Sequence, residues 1–173
     1  ALSVMANASG DNSVALGVFA NAQGSNALSL GTFSKATGIN ATAISSNSAA
    51  TGNNSIAIGV DSVANQQNAQ SFGVSATAAG VNAVAIAAGS VANGANSMAM
   101  GVLANATALN TAAIGTYARA TQNGALAFGA NSSAIANYTM AFGVNALASS
   151  NNAVAIGRYA NATGNVSLAL GMF

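Results

Sequence analysis

Residues 54–59 read Asn-Ser-Ile-Ala-Ile-Gly, and near-copies of this hexapeptide recur along the chain at a fixed spacing. Taking Gly59 as a slot and stepping by fourteen residues lands on Ser3, Gly17, Gly31, Ser45, Gly73, Ala87, Gly101, Gly115, Gly129, Gly143, Gly157 and Gly171. No insertion or deletion interrupts the series, so residues 1–173 read as one repeat array rather than two domains. The residue before each slot is always apolar, from Leu2 through Ile58 to Leu170. Two residues earlier the preference repeats from Val14 to Leu168, with Thr42, Gln70 and Ala112 as exceptions. Small residues such as Ser55 and Ala57 alternate with them. Period-two alternation of large apolar and small side chains marks a strand.

A second alternation follows the slot. Three residues on stands Ala or Ser, as at Ala20 and Ser34; five on, every repeat has Ala, from Ala8 to Ala162. An unvarying alanine column implies a space that admits a methyl and little more. Seven on, Gly returns at Gly10, Gly24, Gly38, Gly52, Gly80, Gly94 and Gly164, as a turn needing positive φ would require. Five before the slot stands Asn, from Asn12 to Asn152, replaced only by Gly124, Tyr138 and Val166. Stacked asparagines can bond along a row through their amides or cap the turn backbone.

Fourteen residues are too few for a helical hairpin but fit two short strands and two tight turns. The expected fold is all-β: a parallel β-solenoid of about twelve 14-residue coils, stacked ~4.8 Å apart into a rod roughly 55–60 Å long. In this reading the Leu/Ile/Phe ladder before the slot fills the interior from one wall, and the Ala and Ala/Ser ladders meet it from the other. The opposite face of the first strand then carries only small residues: Ser13 and Ala15, Ser55 and Ala57, Ala83 and Ala85, Ala153 and Ala155. A solvent-facing strand normally carries charge. The expectation is that this smooth face packs against copies of itself in a closed oligomer. The weak repeats at Thr42/Ile44/Ser45, Gln70 and Ala87 are expected to bend or loosen the rod.

Composition narrows the functions. Only Asp11, Lys35, Asp61, Arg119 and Arg158 are charged, and a net charge of +1 supplies no field to gather nucleic acid or an anionic membrane. The chain has no His, Cys, Pro or Trp, so imidazole or thiolate metal sites, disulfides and histidine acid–base chemistry are outside its inventory. No cofactor is expected. Asp11 and Asp61 lie about four coils apart, roughly 19 Å along the rod, too far to act as a carboxylate pair. The reading is therefore not an enzyme.

The segments NSVALG (12–17), NSIAIG (54–59), NSMAMG (96–101) and NAVAIG (152–157), each followed by an Ala-rich turn, resemble the NSVAIG-type repeats of the YadA-like head in trimeric autotransporter adhesins. The resemblance runs from Leu2 to Gly171. It implies a left-handed parallel β-roll packed as a homotrimer, on the surface of a Gram-negative bacterium. Attachment to extracellular matrix, collagen being a typical ligand, or to abiotic surfaces is implied likewise. Neck, stalk and C-terminal membrane anchor, which usually follow such a head, are not recognisable in these residues, so this stretch reads as a head segment with open ends.

Variable chemistry is confined to the residues two and four after the slot, expected to point outward from the second strand. Candidate ligand-facing residues are Phe19, Phe33, Lys35, Leu103, Tyr117, Arg119 and Tyr159. Phe19 and Phe33 stand one coil apart and can form an apolar step beside Lys35. Arg158 is expected to snorkel to solvent. Sequons such as Asn105-Ala106-Thr107 arise readily in so Asn- and Thr-rich a chain. Adhesion is the first reading, multiplied by avidity across three chains. A rigid spacer projecting another binding domain is the second. Ice binding by the column containing Thr37, Thr51, Thr107, Thr121 and Thr163 is the third, weakened by Gln23, Asn65, Ala79 and Ile135 in the same column.

Overall fold

The computed structural model describes residues 3–171, so Leu2, the first member of the apolar column, lies outside the described residues. Each coil contributes one three-residue and one two-residue strand. These stack into two parallel sheets of 12 strands each. The wide sheet runs from Val14–Leu16 to Leu168–Leu170, and the narrow sheet from Asn7–Ala8 to Asn161–Ala162. The pairing register is i to i+14 throughout, as in Ile56↔Gln70↔Val84 and Ala22↔Ala36. The ladder passes through the weak repeats without a break: Ser45 N–H donates to Leu30 O at 2.8 Å and Gln70 N–H to Ala83 O at 2.8 Å. The expected loosening there is absent from the register, because backbone pairing ignores side-chain identity.

Two four-residue turns close every coil. In the first, Ala20 N–H donates to Gly17 O at 3.1 Å; in the second, Ala27 N–H donates to Gly24 O at 3.2 Å. The third residue of each turn has φ near +57°, as at Phe19 and Asn26, the positive value that type II turns require there. Position two after the slot is thus a turn corner, not the strand position expected from sequence.

The two glycine columns both lie close against the next coil but differ in dihedral. Slot residues such as Gly59 have φ +131°, open to glycine at little cost. Gly24 and its column have no positive φ. A Cβ on Gly24 would collide with the Gly38 carbonyl one coil on, so this glycine is set by the close approach of stacked turns, not by the dihedral expected.

The interior reverses the sequence expectation. Ala57, Ala83, Ala85, Ala153, Ala155 and Ser55 are fully buried, Ala15 is nearly so, and Ser13 is half-buried at the first coil. They are packed inside their own chain against the Ala8–Ala162 column, and so cannot be the face presented to other copies. The large apolar residues, such as Val14, Leu16, Met98 and Ile156, point outward. Among the described residues no fully buried side chain is larger than threonine. The reason is width: the four-residue turns leave so narrow an interior that Ser29 of the wide sheet reaches Ser34, the last residue of the turn leading into the narrow sheet, at 2.6 Å. A leucine from either wall would run into the opposite backbone. The core is therefore a column of methyls with serine hydroxyls bonded to turn carbonyls, as Ser55 Oγ to Gly52 O.

Candidate functional surfaces

Among the described residues no pocket indents the rod, so recognition has to use its outer faces. Three of these differ in chemistry.

The first is the outer face of the wide sheet. Its two outward columns form ladders of Val, Leu, Ile, Met and Phe along 12 strands, interrupted only by Thr42, Gln70 and Ala112, with no charged group. Each side chain is shaded by its neighbours above and below, so most are half-buried; Phe128 and Phe142 stack at 4.7 Å with planes 4° apart. The sequence reading places these side chains in the interior and so does not mark this face as a surface at all.

The second is the corner bearing the Asn column. Asn26 Nδ2 donates to Asn40 Oδ1 at 3.1 Å, and the chain of amides continues through Asn54, Asn68, Asn82 and Asn96 to Asn110. These residues sit at φ 55–57°, a region Asn tolerates better than other non-glycine residues. The expected ladder is present, while the side-chain bonds to turn backbone come from the preceding column, where Asn53, Asn123 and Asn151 Oδ1 accept from the N–H of Ile39, Leu109 and Asn137. Tyr138 replaces Asn at φ 56° and is 65% exposed, an aromatic overlooked among the candidates although its departure from the column marked it.

The third is the other corner with the adjoining narrow-sheet face, where all seven candidate ligand-facing residues are exposed. Phe19 and Phe33 stack at 5.1 Å, planes 4° apart. Lys35 pairs with Asn21 in the sheet beside them. The same arrangement returns 84 residues on: Leu103 and Tyr117 at the corner, with Arg119 paired to Asn105. Six coils separate the two groups, roughly 29 Å. In both, the asparagine Oδ1 beside the cation is buried without a partner. Tyr159 stands three coils further, its ring under the Arg158 guanidinium at 4.9 Å. Arg158 is exposed, as expected.

These corner side chains occupy a costly backbone state. Phe19, Phe33, Leu103, Tyr117 and Tyr159 all have φ of 57–60°. The left-handed region costs a bulky L-residue on the order of 1–2 kcal/mol relative to glycine. Elsewhere in this column stand Asn47, Asp61, Gly89, Asn131 and Asn145, residues suited to it.

A family model described as the YadA head domain repeat, spanning two copies, matches residues 4–20, 8–34, 22–44, 50–69, 73–97, 92–118, 106–132, 120–146, 134–160 and 148–173. The chain belongs to this family. The residues between matches hold Ser45 in a glycine slot and Gln70 in an apolar column, the weak repeats noted above. Membership of the YadA head domain repeat family makes this an adhesin-type head, a fold and family not of enzymes. Among curated proteins none matches. Among solved structures, the crystal structure of the collagen-binding domain of the Yersinia adhesin YadA is similar, at 27% identity, covering 88% of this chain and 69% of that one with a TM-score of 0.45.

Proposed function

We propose that this chain is the head of a bacterial surface adhesin. Three copies pack through the apolar outer faces of their wide sheets, and attachment uses the aromatic and cationic corners. Membership of the family supports the homotrimer, the left-handed winding and display at a Gram-negative outer membrane. What supports self-association here is the wide-sheet face: about 55 Å by 10 Å, some 550 Å² in projection, at the upper limit of what monomers leave uncovered. An uncharged apolar strip is complementary to itself and to little that is soluble.

The observation that carries the adhesive reading is the strained corner. Phe33 and Tyr117 are 57% and 52% exposed in a backbone state that disfavours them. They fill no core, and residues that fit the turn better occupy the same column elsewhere. Side chains kept against local stability, beside a cation and on a rigid rod, fit a role in contact. The proposed contact set is Phe19, Phe33, Lys35, Leu103, Tyr117, Arg119 and Tyr159, with extracellular-matrix protein as ligand class. Many weak contacts repeated on three chains would add through avidity.

The test replaces Phe33 and Tyr117 by Asn and measures retention of the purified trimer on collagen-coated, fibronectin-coated and bare polystyrene. Adhesion predicts a loss of at least tenfold on one matrix coating with unchanged trimer mass. Unchanged retention on every coating overturns the contact set and leaves the rigid-spacer reading. Loss on bare polystyrene alone assigns these side chains to abiotic attachment.

A further inference from the structure

We infer that Gln70 sets the axial register in which copies of this chain pack through their wide sheets; the inference rests on the self-association proposed above. A rod built of like coils has a difficulty that ordinary interfaces lack. Sliding one copy past another by a whole coil returns nearly the same contact, because the 12 strands present the same two outward columns, apolar at almost every rung. One step of slip forfeits contact only at the two ends. The face carries no charge, so electrostatics do not fix the alignment either.

Within the two outward columns of the wide sheet, Gln70 is the single amide. It pairs in register between Ile56 and Val84, and its backbone N–H bonds normally to Ala83 O, so only the side chain is out of pattern. That side chain is exposed. Three-fold packing in register brings three Gln70 amides to one height. Each carries both donor and acceptor, so they can bond to one another in a closed ring. When one copy slips by a coil, its amide faces Ile56 or Val84 of its neighbours and is buried without a partner, and the ring is opened, which is costly. A lone buried amide fixes alignment in coiled coils by the same reasoning. Thr42 is the other polar member of the column, but it presents a methyl as well as a hydroxyl. Ala112 only leaves space.

The experiment moves the amide by one coil, in the double variant Gln70→Val with Val84→Gln, and co-expresses it with the unaltered 173-residue chain carrying a mass tag. A second double variant, Gln70→Val with Ile56→Gln, moves it the other way and guards against a misfolded first variant. Disulfide trapping reads the register of the mixed trimers, between Ile114→Cys in the unaltered chain and Ile114→Cys, Phe128→Cys or Met100→Cys in the variant. The expected result is that each variant trimerises alone and that mixed trimers trap one coil out of step, Ile114→Cys with Phe128→Cys for the first variant and with Met100→Cys for the second, about tenfold over the in-step pair. Preferential in-step trapping overturns the inference. So does failure of both variants to trimerise alone, since a moved amide finds its own copies equally well. A monomeric unaltered chain would instead refute the self-association on which the inference rests.

Discussion

Phe128 and Phe142 stack on the wide sheet, Phe19 and Phe33 on the turn corner; both pairs are one coil apart with planes 4° from parallel, at 4.7 and 5.1 Å. The geometry is the same because the coil repeat sets it, yet the two pairs stand on different backbones. Phe128 and Phe142 lie in extended strands that favour aromatic side chains. Phe19 and Phe33 lie at φ 57° and 58°, which disfavours them. Aromatic residues on the sheet follow from the fold; at the corner they oppose it. A stack alone is therefore no sign of function, whereas a stack on an unfavourable backbone is a reason to look for one.

The most severe way to break the comparison is to reverse the strand. In Ala127→Leu the side chain enters the methyl-wide interior behind Phe128, and overpacking on both sides should cost about 3 kcal/mol or more. Circular dichroism should show lost β-structure at 37 °C; a folded variant of normal melting temperature would mean that the interior is wider than described. Phe128→Asp tests the outer side of the same strand. Coil formation should survive, while assembly weakens roughly a hundredfold through lost apolar burial and a buried charge, read as a concentration-dependent loss of trimer by light scattering. Unchanged assembly would remove the wide sheet from the interface.

Asn82→Ala cuts the amide chain at Asn68 and Asn96 and puts Ala at φ 57°. About 1–2 kcal/mol should be lost in denaturant melts of the assembled rod. A neutral result would make the amide ladder a surface ornament. Smaller still are two gains. Ala87→Gly relieves a slot residue at φ 94° and should add about 1 kcal/mol. Tyr117→Asn should add up to about 1 kcal/mol while weakening retention on the matrix coating. If Tyr117→Asn instead destabilises the rod, the corner aromatics serve the fold and the contrast with Phe128 disappears.

Much of the architecture was legible in the residues themselves. The fourteen-residue step from Gly17 to Gly171 predicted coil number and register, the Ala8–Ala162 column predicted room for little more than a methyl along one wall, and the Asn column predicted its own ladder. Which side of the first strand is inside was not legible. Alternation shows that Ile56 and Ala57 face opposite ways, but not which faces in; that depends on the gap between walls, which two four-residue turns impose. The habit of placing large apolar residues inside also presumes a single chain, whereas the self-association proposed above would cover them with another. Gly24 misled for a related reason, since composition does not separate a glycine needed for its dihedral from one needed for clearance. Phe19 and its column read correctly as exposed but wrongly as strand, because a left-handed corner is written in Asn and Gly, and aromatic residues there conceal it.

The uninterrupted i to i+14 pairing also makes the length of this rod a counted quantity. Adding or deleting fourteen residues changes reach by one step of ~4.8 Å and leaves every other rung with the neighbours it had, one place along. All copies encoded by one gene inherit the same edit, so they keep a common height. Recombination between near-identical repeats could thus lengthen or shorten the projection of the head as a ruler is cut, by whole divisions, without a new fold having to be found.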